Sequence, residues 1–463
     1  MTDAGALVRE AIALANAGED QAAQQRFSEA LARFPNDARV ANSAGNFHAR
    51  ARRNEAALAH FLRALELEPD FAEAAANAGI VYLRLNQPEN LLQLFASHLD
   101  PARYTARLWA LRADAERLSN QLNCASASYA EALGKDPANK RALAGRARLS
   151  LERGEARAVA DFQQVLAQSP GDPEAFCDYI EALLGNDLLD EARQAAAVLI
   201  SQLPGWPRGQ VQFAELEWAA GDREEFDREF ARAAENASSP ELYMAWGNLL
   251  AGAGQQQRAA EILDKALAKW PDHRDLALNC AICLGEAGDT QRAGALFKTF
   301  DASASLDWSI AYARHLIQLG AFDEAERLLG GIIKADQPSS EAWALIDICW
   351  RTVDDPRHAW LHGQEGLVQS VSLNLSAAEL NGIAEVLLQL HQRSFEPFGQ
   401  SIKGGSQTKG ALLHRLEPEL QVLRNALTDA MQAYRAALPP RDDGHPLLSK
   451  RGSTWEISGS WSI

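Results

Sequence analysis

Two cysteines of this sequence have a spacing that could support redox or metal chemistry. Cys280 and Cys283 form a CxxC pair on a predicted helix. Such a pair can supply half of a tetrahedral zinc site or a redox dithiol. The sequence has no second CxxC, and Cys280 takes the place that Trp246, an inward-facing residue, holds in the preceding unit of a repeat described below. We therefore predict two small thiols buried in a core, and keep metal or redox chemistry as the alternative.

Two further groups have the spacing of ligand sites. His358 and His362 lie four residues apart, which places both on one face of a predicted helix. No carboxylate or thiol completes a convincing metal set, so we expect a solvated or partly packed helix face. Residues 403–410, KGGSQTKG, lack the GxxxxGK[ST] order and follow a helix, so we expect no nucleotide site. The sequence has no GxSxG or HExxH signature either, and we predict no catalytic and no metal-binding residue in this chain.

Composition excludes several classes of function. The 463 residues have a formal net charge of −17 and no long Lys/Arg run, so we expect no nucleic acid partner. No apolar run is long enough to cross a bilayer, and the first residues do not have the pattern of a secretory signal. Five scattered cysteines do not describe a disulfide framework. We expect no membrane partner and a cytoplasmic, reducing location.

The elements that must position these residues repeat along the chain. Prolines that end predicted helices recur, and the step from Pro35 to Pro69 equals the step from Pro170 to Pro204. A period of this length, about 34 residues, is typical of a solenoid made of stacked helix pairs. From about residue 371 the rhythm is lost.

The clearest repeat is ELYMAWGNLLAGAGQQQRAAEILDKALAKWP, residues 241–271. Trp246 and Leu250 share one face of its first helix, and the small residues Gly247 and Ala259 allow the two helices to approach closely. Pro271 ends the second helix. With these residues the sequence resembles the tetratricopeptide repeat family. The resemblance covers residues 1–370 in about ten units, of which some are degenerate.

The resemblance also implies a binding surface. In the tetratricopeptide family the first helix of each pair lines a concave groove that binds a protein or peptide. By that register the groove-facing residues here are Arg39, Asn42, Asn46, Met244 and Asn248. The alternative is that they are ordinary solvated positions.

The last residues resemble a different family. Residues 371–396 predict one connecting helix, and residues 397–463 resemble the start of a 2-oxoglutarate/Fe(II)-dependent oxygenase domain. Trp455, Ile457, Trp461 and Ile463 alternate with polar residues, which predicts a half-buried strand. The resemblance implies that the iron ligands come from later strands that this sequence does not contain. We therefore expect this chain to bind neither Fe(II) nor 2-oxoglutarate, and to be inactive by itself even if a longer parent is an enzyme.

Together these patterns predict an all-α fold, a helix-turn-helix solenoid that ends in the entry to an incomplete β domain. The leading functional hypothesis is a protein interaction module that forms the repeat portion of such an oxygenase. The alternative is a free-standing scaffold without enzymatic activity. The sequence does not identify the partner, the substrate of any oxygenase domain or the oligomeric state.

Overall fold

Up to His362, the described residues form α-helices joined by short connections. The structure is a computed structural model that describes residues 3–300, 305–335, 339–392, 396, 398–399, 402, 405–408, 410–455 and 457–463. These residues form 24 α-helices and no β-strand. The chain divides into two compact units, Met1–Ala182 and Leu183–Ile463, called unit 1 and unit 2 below. The predicted all-α helix-turn-helix solenoid is confirmed.

Unit 1 contains five successive helix pairs and most of an eleventh helix. Its helices are α1 (Ala4–Asn16), α2 (Asp20–Arg33), α3 (Ala38–Arg50), α4 (Asn54–Leu67), α5 (Ala72–Arg84), α6 (Pro88–His98), α7 (Ala106–Leu118), α8 (Leu122–Lys135), α9 (Lys140–Glu152), α10 (Ala158–Gln168) and α11 (Pro173–Gly185). The division between the two units falls inside α11.

Unit 2 continues the pairs and adds two longer helices. Its helices are α12 (Leu189–Gln202), α13 (Pro207–Ala219), α14 (Arg228–Glu235), α15 (Glu241–Gly252), α16 (Gln256–Lys269), α17 (Arg274–Glu286), α18 (Thr290–Phe297), α19 (Leu306–Gln318), α20 (Phe322–Lys334), α21 (Ser340–Thr352), α22 (Arg357–His362), α23 (Ala377–Gln392) and α24 (Pro418–Ala437). Twenty-two of the described helices precede α23.

A left-handed residue marks the turn inside each pair. The residues with positive φ at these turns are Gly18, Arg52, Asn86, Asn120, Gly154, Asp187, Gly221, Gly254, Gly288, Gly320 and Asp354. The first five follow one another at equal steps, each one repeat period long. Reversing the chain direction over so short a turn requires one residue with positive φ, which Gly adopts most easily and Asn or Asp with little penalty. The repeat period is therefore also the period of a backbone constraint.

Several first helices are fixed at their starts by side chains. Asp37 accepts hydrogen bonds from the backbone N–H groups of Arg39 (2.9 Å) and Val40 (3.3 Å), and Asn139 accepts one from Ala142 (3.0 Å). These bonds satisfy N–H groups that have no partner within the helix. They set the entry point of each first helix, and with it the face that the helix presents.

Small residues let the helices of a pair touch. A Cβ on Gly45 would lie 2.5 Å from Cε1 of Phe61, and a Cβ on Gly247 would lie 2.6 Å from Cγ of Leu263. Both large side chains come from the second helix of the same pair and are fully buried. The predicted role of Gly247 in close helix approach is confirmed.

The predicted strand at residues 453–463 is wrong for the residues that the structure describes. The segment lies beside the loop 408–413, and two backbone bonds join them, from Thr408 N to Ser462 O (3.0 Å) and from Leu412 N to Ser460 O (2.8 Å). In a strand ladder the backbone N–H groups donate to backbone carbonyls. Here Ser462 N donates to a side-chain oxygen instead, Oγ1 of Thr408 (2.8 Å). A strand needs a regular partner strand, and this loop provides only isolated bonds.

The alternating apolar residues of this segment also lie in different environments. Trp455 packs against Tyr434 of α24, with ring centroids 6.0 Å apart, beside a small buried cluster of Leu367, Leu438 and Leu448. Trp461 is 56% exposed. The alternation therefore does not create one buried face.

Candidate functional site

The first helices of unit 1 line an open cavity of about 650 Å³. Its lining includes apolar side chains from three successive first helices and polar groups between them. The principal residues are Ile12 of α1, Ser43, Asn46 and Arg50 of α3, and Asn77, Ile80, Val81 and Arg84 of α5. We call this cavity the first-helix groove. Mixed apolar and hydrogen-bonding surface of this size is typical of a ligand site.

The groove follows the repeat register. Residues 39, 73, 107 and 141 occupy equivalent places on α3, α5, α7 and α9 and are Arg, Glu, Arg and Arg, all exposed. Residues 46, 80, 114 and 148 form a second row of Asn, Ile, Asp and Arg. Equivalent positions thus carry different chemistry from one helix to the next, and of these residues Asn46 and Ile80 line the groove.

A ladder of hydrogen bonds crosses the three first helices α3, α5 and α7. Asn42 donates from Nδ2 to Glu73 Oε1 (3.2 Å) and accepts from Asn77 Nδ2 (3.0 Å). Arg107 then donates to Oδ1 of Asn77 (2.8 Å). Both Asn side chains are buried. The ladder fixes adjacent repeats relative to each other, and its two charged members, Glu73 and Arg107, belong to the exposed row.

The predicted groove residues of α3 occupy three different environments. Asn46 is half-buried and lines the groove, and Arg39 is exposed on the same helix. Asn42 is 4% exposed, and both polar ends of its amide are used by the ladder. The structure therefore brings Asn46 into the cavity and places Asn42 within the support beneath it.

Met244 and Asn248 lie on α15 of unit 2. Asn248 is exposed, whereas Met244 is half-buried against the main core cluster of this unit.

Sequence reasoning missed the groove residues of α5. Asn77, Ile80 and Arg84 complete the cavity opposite Ser43, Asn46 and Arg50. Ile80 follows Asn46 by one repeat period, so extending the register by one repeat would have found it. Asn77 and Arg84 follow Ser43 and Arg50, which the sequence pattern had not singled out.

Sequence comparison matches a family model described as tetratricopeptide repeat at residues 8–70. A second model with the same description matches residues 156–212, 250–307 and 286–347. The chain contains tetratricopeptide repeats. Comparison with curated proteins finds no match.

Solved structures with similar repeats cover parts of the chain. A tetratricopeptide repeat protein from Parabacteroides merdae is 16% identical over 61% of this chain and 98% of its own, with a TM-score of 0.39. PilW, a type IV pilus biogenesis factor, is 18% identical over 43% of this chain and 94% of its own, with a TM-score of 0.40. YrrB, described as having an unusual peptide-binding site, is 21% identical over 38% of this chain and 91% of its own, with a TM-score of 0.32.

The CxxC cysteines lie inside the repeat core of unit 2. Cys280 and Cys283 are 0% and 2% exposed on α17 and belong to its main apolar cluster. Burial raises the pKa of each thiol to about 12. Because the thiolate is the nucleophile and the metal ligand, these thiols are held in their unreactive form near neutral pH. The prediction of buried core thiols is confirmed.

The histidine pair has a carboxylate partner that its local sequence did not indicate. His358 Nδ1 lies 2.8 Å from Asp347 Oδ1, and His362 Nε2 lies 3.5 Å from Asp347 Oδ2. Asp347 is buried on the preceding helix α21. The carboxylate thus joins the short helix α22 to its neighbour.

The described residues contain neither a candidate metal cluster nor a candidate membrane span. In that part of the chain, no group of three or more His, Cys, Asp and Glu side chains is placed to hold a metal ion. No described helix is both long and apolar enough to span a bilayer. Of the Gly-rich segment 403–410, Lys403, Gly404 and Lys409 lie outside the described residues.

Proposed function

We propose that this protein is a scaffold that binds an extended peptide segment of a protein partner in the first-helix groove of unit 1. The observation that carries the proposal is the composition of the groove, where the half-buried amide of Asn46 lies beside the apolar side chains of Ile80 and Val81. An amide side chain can both donate to and accept from a peptide backbone, and apolar neighbours can bury the peptide's side chains.

The charge of the groove indicates which kind of peptide segment it binds. Arg50 and Arg84 are its basic lining residues, and Asp20 is its acidic one. Arg84 is oriented by hydrogen bonds to Ala49 O (3.0 Å) and Asn54 Oδ1 (3.1 Å). The groove is thus locally positive on a chain whose net charge is −17. We infer a partner segment that combines acidic and apolar residues, because complementary charge favours the correct partner and its orientation.

A display selection tests this proposal. Random linear peptides are selected on the full chain and counter-screened on the Asn46→Ala and Arg84→Ala variants. The proposal predicts enrichment of acidic and apolar sequences whose binding weakens on both variants. Enriched peptides that bind both variants as well as the unchanged chain would contradict the groove assignment.

The oxygenase hypothesis ranks second. It rests on the sequence resemblance of residues 397–463 alone, and the free-standing scaffold requires only the repeats. Measurement of Fe(II) binding and 2-oxoglutarate consumption by a version extended beyond residue 463 tests it. If the extended protein does neither, the oxygenase hypothesis fails and the scaffold proposal is unaffected.

A further inference from the structure

Phe398 packs into the helix pairs of unit 2 although it lies far beyond them along the chain. Its ring meets Trp218 edge-on, at 5.4 Å between centroids and 89° between planes. The ring of Phe226 lies 6.1 Å away. Trp218 and Phe226 contact each other at 5.0 Å and 77°, so the two rings form a preformed corner that the third ring fills. Edge-to-face geometry is the favoured arrangement of such rings.

A glycine forms the floor beside this corner. A Cβ on Gly252 would lie 3.2 Å from Cε1 of Phe398 and 3.5 Å from Cα of Gly399. Gly399 itself has φ +68°, a conformation that residues with a side chain seldom adopt. The backbone that follows the phenylalanine therefore passes close over α15 and turns there. We call Trp218, Phe226 and Gly252 the aromatic pocket.

A charge pair stands at the rim of the aromatic pocket. Nη2 of Arg223 lies 3.2 Å from Oε2 of Glu396, two residues before Phe398. The same guanidinium lies 5.0 Å from the ring centroid of Trp218, which holds it in place by a cation–π contact. The pocket and Arg223 at its rim thus contact three residues of one short segment: an acidic residue, a phenylalanine and a glycine.

An irregular turn creates the pocket. Helix α14 begins seven residues after the left-handed Gly221, whereas α16 begins two residues after Gly254. The intervening turn places Phe226 inward and leaves Arg223 exposed. Buried Asp227 fixes the turn, because it accepts hydrogen bonds from Trp246 Nε1 (2.7 Å) and from an Arg258 guanidinium (2.8 Å). The irregular turn before α14 therefore forms a recess that Asp227 holds in place.

We propose that the aromatic pocket is a peptide-recognition site for a segment with an acidic residue, one further residue, phenylalanine and glycine, and that Glu396, Phe398 and Gly399 of this chain occupy it in cis. The cis segment is held by one half-buried ring and one solvent-accessible ion pair, so a partner segment with the same pattern can replace it. Tethering gives the cis segment a high effective concentration, which lowers the apparent affinity for any such partner. This site is separate from the first-helix groove, and its test does not depend on that proposal.

The probe is a fluorescently labelled peptide with the sequence of residues 393–402, RSFEPFGQSI, titrated against full-length chains. Phe398→Ala empties the pocket, so this variant should bind the peptide at least about tenfold more tightly than the unchanged chain. Adding Arg223→Glu to that variant should weaken binding several-fold. A peptide carrying Glu396→Arg should then recover it, because the ion pair is rebuilt with reversed charges.

Two further variants of the full chain test the ion pair and leave the apolar contact of Phe398 unchanged. The full chain with Glu396→Arg should bind the unmodified peptide more tightly than the unchanged chain, and Arg223→Glu with Glu396→Arg should return to the weak binding of the unchanged chain. The proposal would be overturned if the peptide bound neither the Phe398→Ala chain nor the Glu396→Arg chain. It would also be overturned if adding Arg223→Glu to the Phe398→Ala chain left peptide binding unchanged.

Discussion

Asn77 donates a hydrogen bond from its Nδ2 to Oδ1 of Asn42, 3.0 Å away on the preceding first helix. Both amides are buried, and the bond joins two adjacent repeats directly beneath the exposed surface of the groove. In a solenoid, stability depends on such nearest-neighbour interfaces. The ladder therefore contributes to the stability of unit 1, whereas Asn46, which is not part of the ladder, lines the groove.

Replacement of Asn42 tests this division. Asn42→Ala leaves Nδ2 of the buried Asn77 without its acceptor, so we expect the free energy of unfolding to fall by about 1–3 kcal/mol. Asn46→Ala, the matched control on the same helix, should change it by no more than about 0.5 kcal/mol. Urea titration followed by circular dichroism measures both. Equal effects of the two variants would show that the ladder does not stabilise the interface.

Close helix approach gives a second prediction. Gly45→Ala places a Cβ against the ring of Phe61, so we expect a loss of about 1–3 kcal/mol in the free energy of unfolding. Gly134→Ala is the control, because α8 has open space at that position; it should stabilise by about 0.5–1 kcal/mol through helix propensity. A neutral Gly45→Ala variant would argue against tight packing of this pair.

The turns allow a stabilising change. Arg52 has φ +55° at a turn where the equivalent residue of the first repeat is Gly18. Arg52→Gly should raise the free energy of unfolding by up to about 1 kcal/mol, because glycine adopts this conformation without steric cost. Gly18→Ala, the reverse change, should lower it by about 1 kcal/mol. If both variants unfold at the same urea concentration as the unchanged chain, the turn conformation is not the constraint that we infer.

Buried His315 predicts a dependence of stability on pH. Neither ring nitrogen has a hydrogen-bond partner in the described part of the chain, and burial, followed by the charge of Lys298, lowers the pKa of the imidazole below its ordinary value of 6.5. Below about pH 6.5 the histidine binds a proton more readily in the unfolded chain than in the folded chain, so the free energy of unfolding falls as the pH decreases. Above that pH the histidine is neutral in both states, and this loss of stability is absent.

His315→Leu should remove this part of the pH dependence. Its free energy of unfolding should equal or exceed that of the unchanged chain at pH 7.5, because an unsatisfied buried polar group is removed. Its advantage should grow at pH 5. Thermal unfolding at both pH values measures the difference, and an advantage that does not grow would contradict the assignment.

Much of the fold was predictable because repetition amplifies weak signals. Evenly spaced prolines and the small residue Gly247 opposite Leu263 indicate stacked helix pairs, and the same pattern recurs along the chain. The prediction for Asn46 follows from the same register. Burial of Asn42 was not predictable, because whether an amide faces the groove or the next repeat depends on the residue found there, here Asn77.

The remaining features depend on contacts between distant parts of the sequence. Glu396 and Arg223 lie 173 residues apart, and no local pattern relates them. The predicted strand at 453–463 failed for a similar reason: alternation shows which side chains could share a face, but a strand also needs a regular partner, and the loop at 408–413 provides only isolated hydrogen bonds.

The central claim is that the first-helix groove of unit 1 binds peptide, and calorimetric titration of one selected acidic and apolar peptide tests it most directly. The unchanged chain, Ile80→Arg and the control Gln93→Arg, an exposed position on the second helix α6, are compared. The account predicts that Ile80→Arg weakens binding at least about tenfold, because a bulky charge enters the apolar part of the groove, and that Gln93→Arg leaves it unchanged. Binding that is equal for all three proteins, or weaker only for Gln93→Arg, would contradict the account.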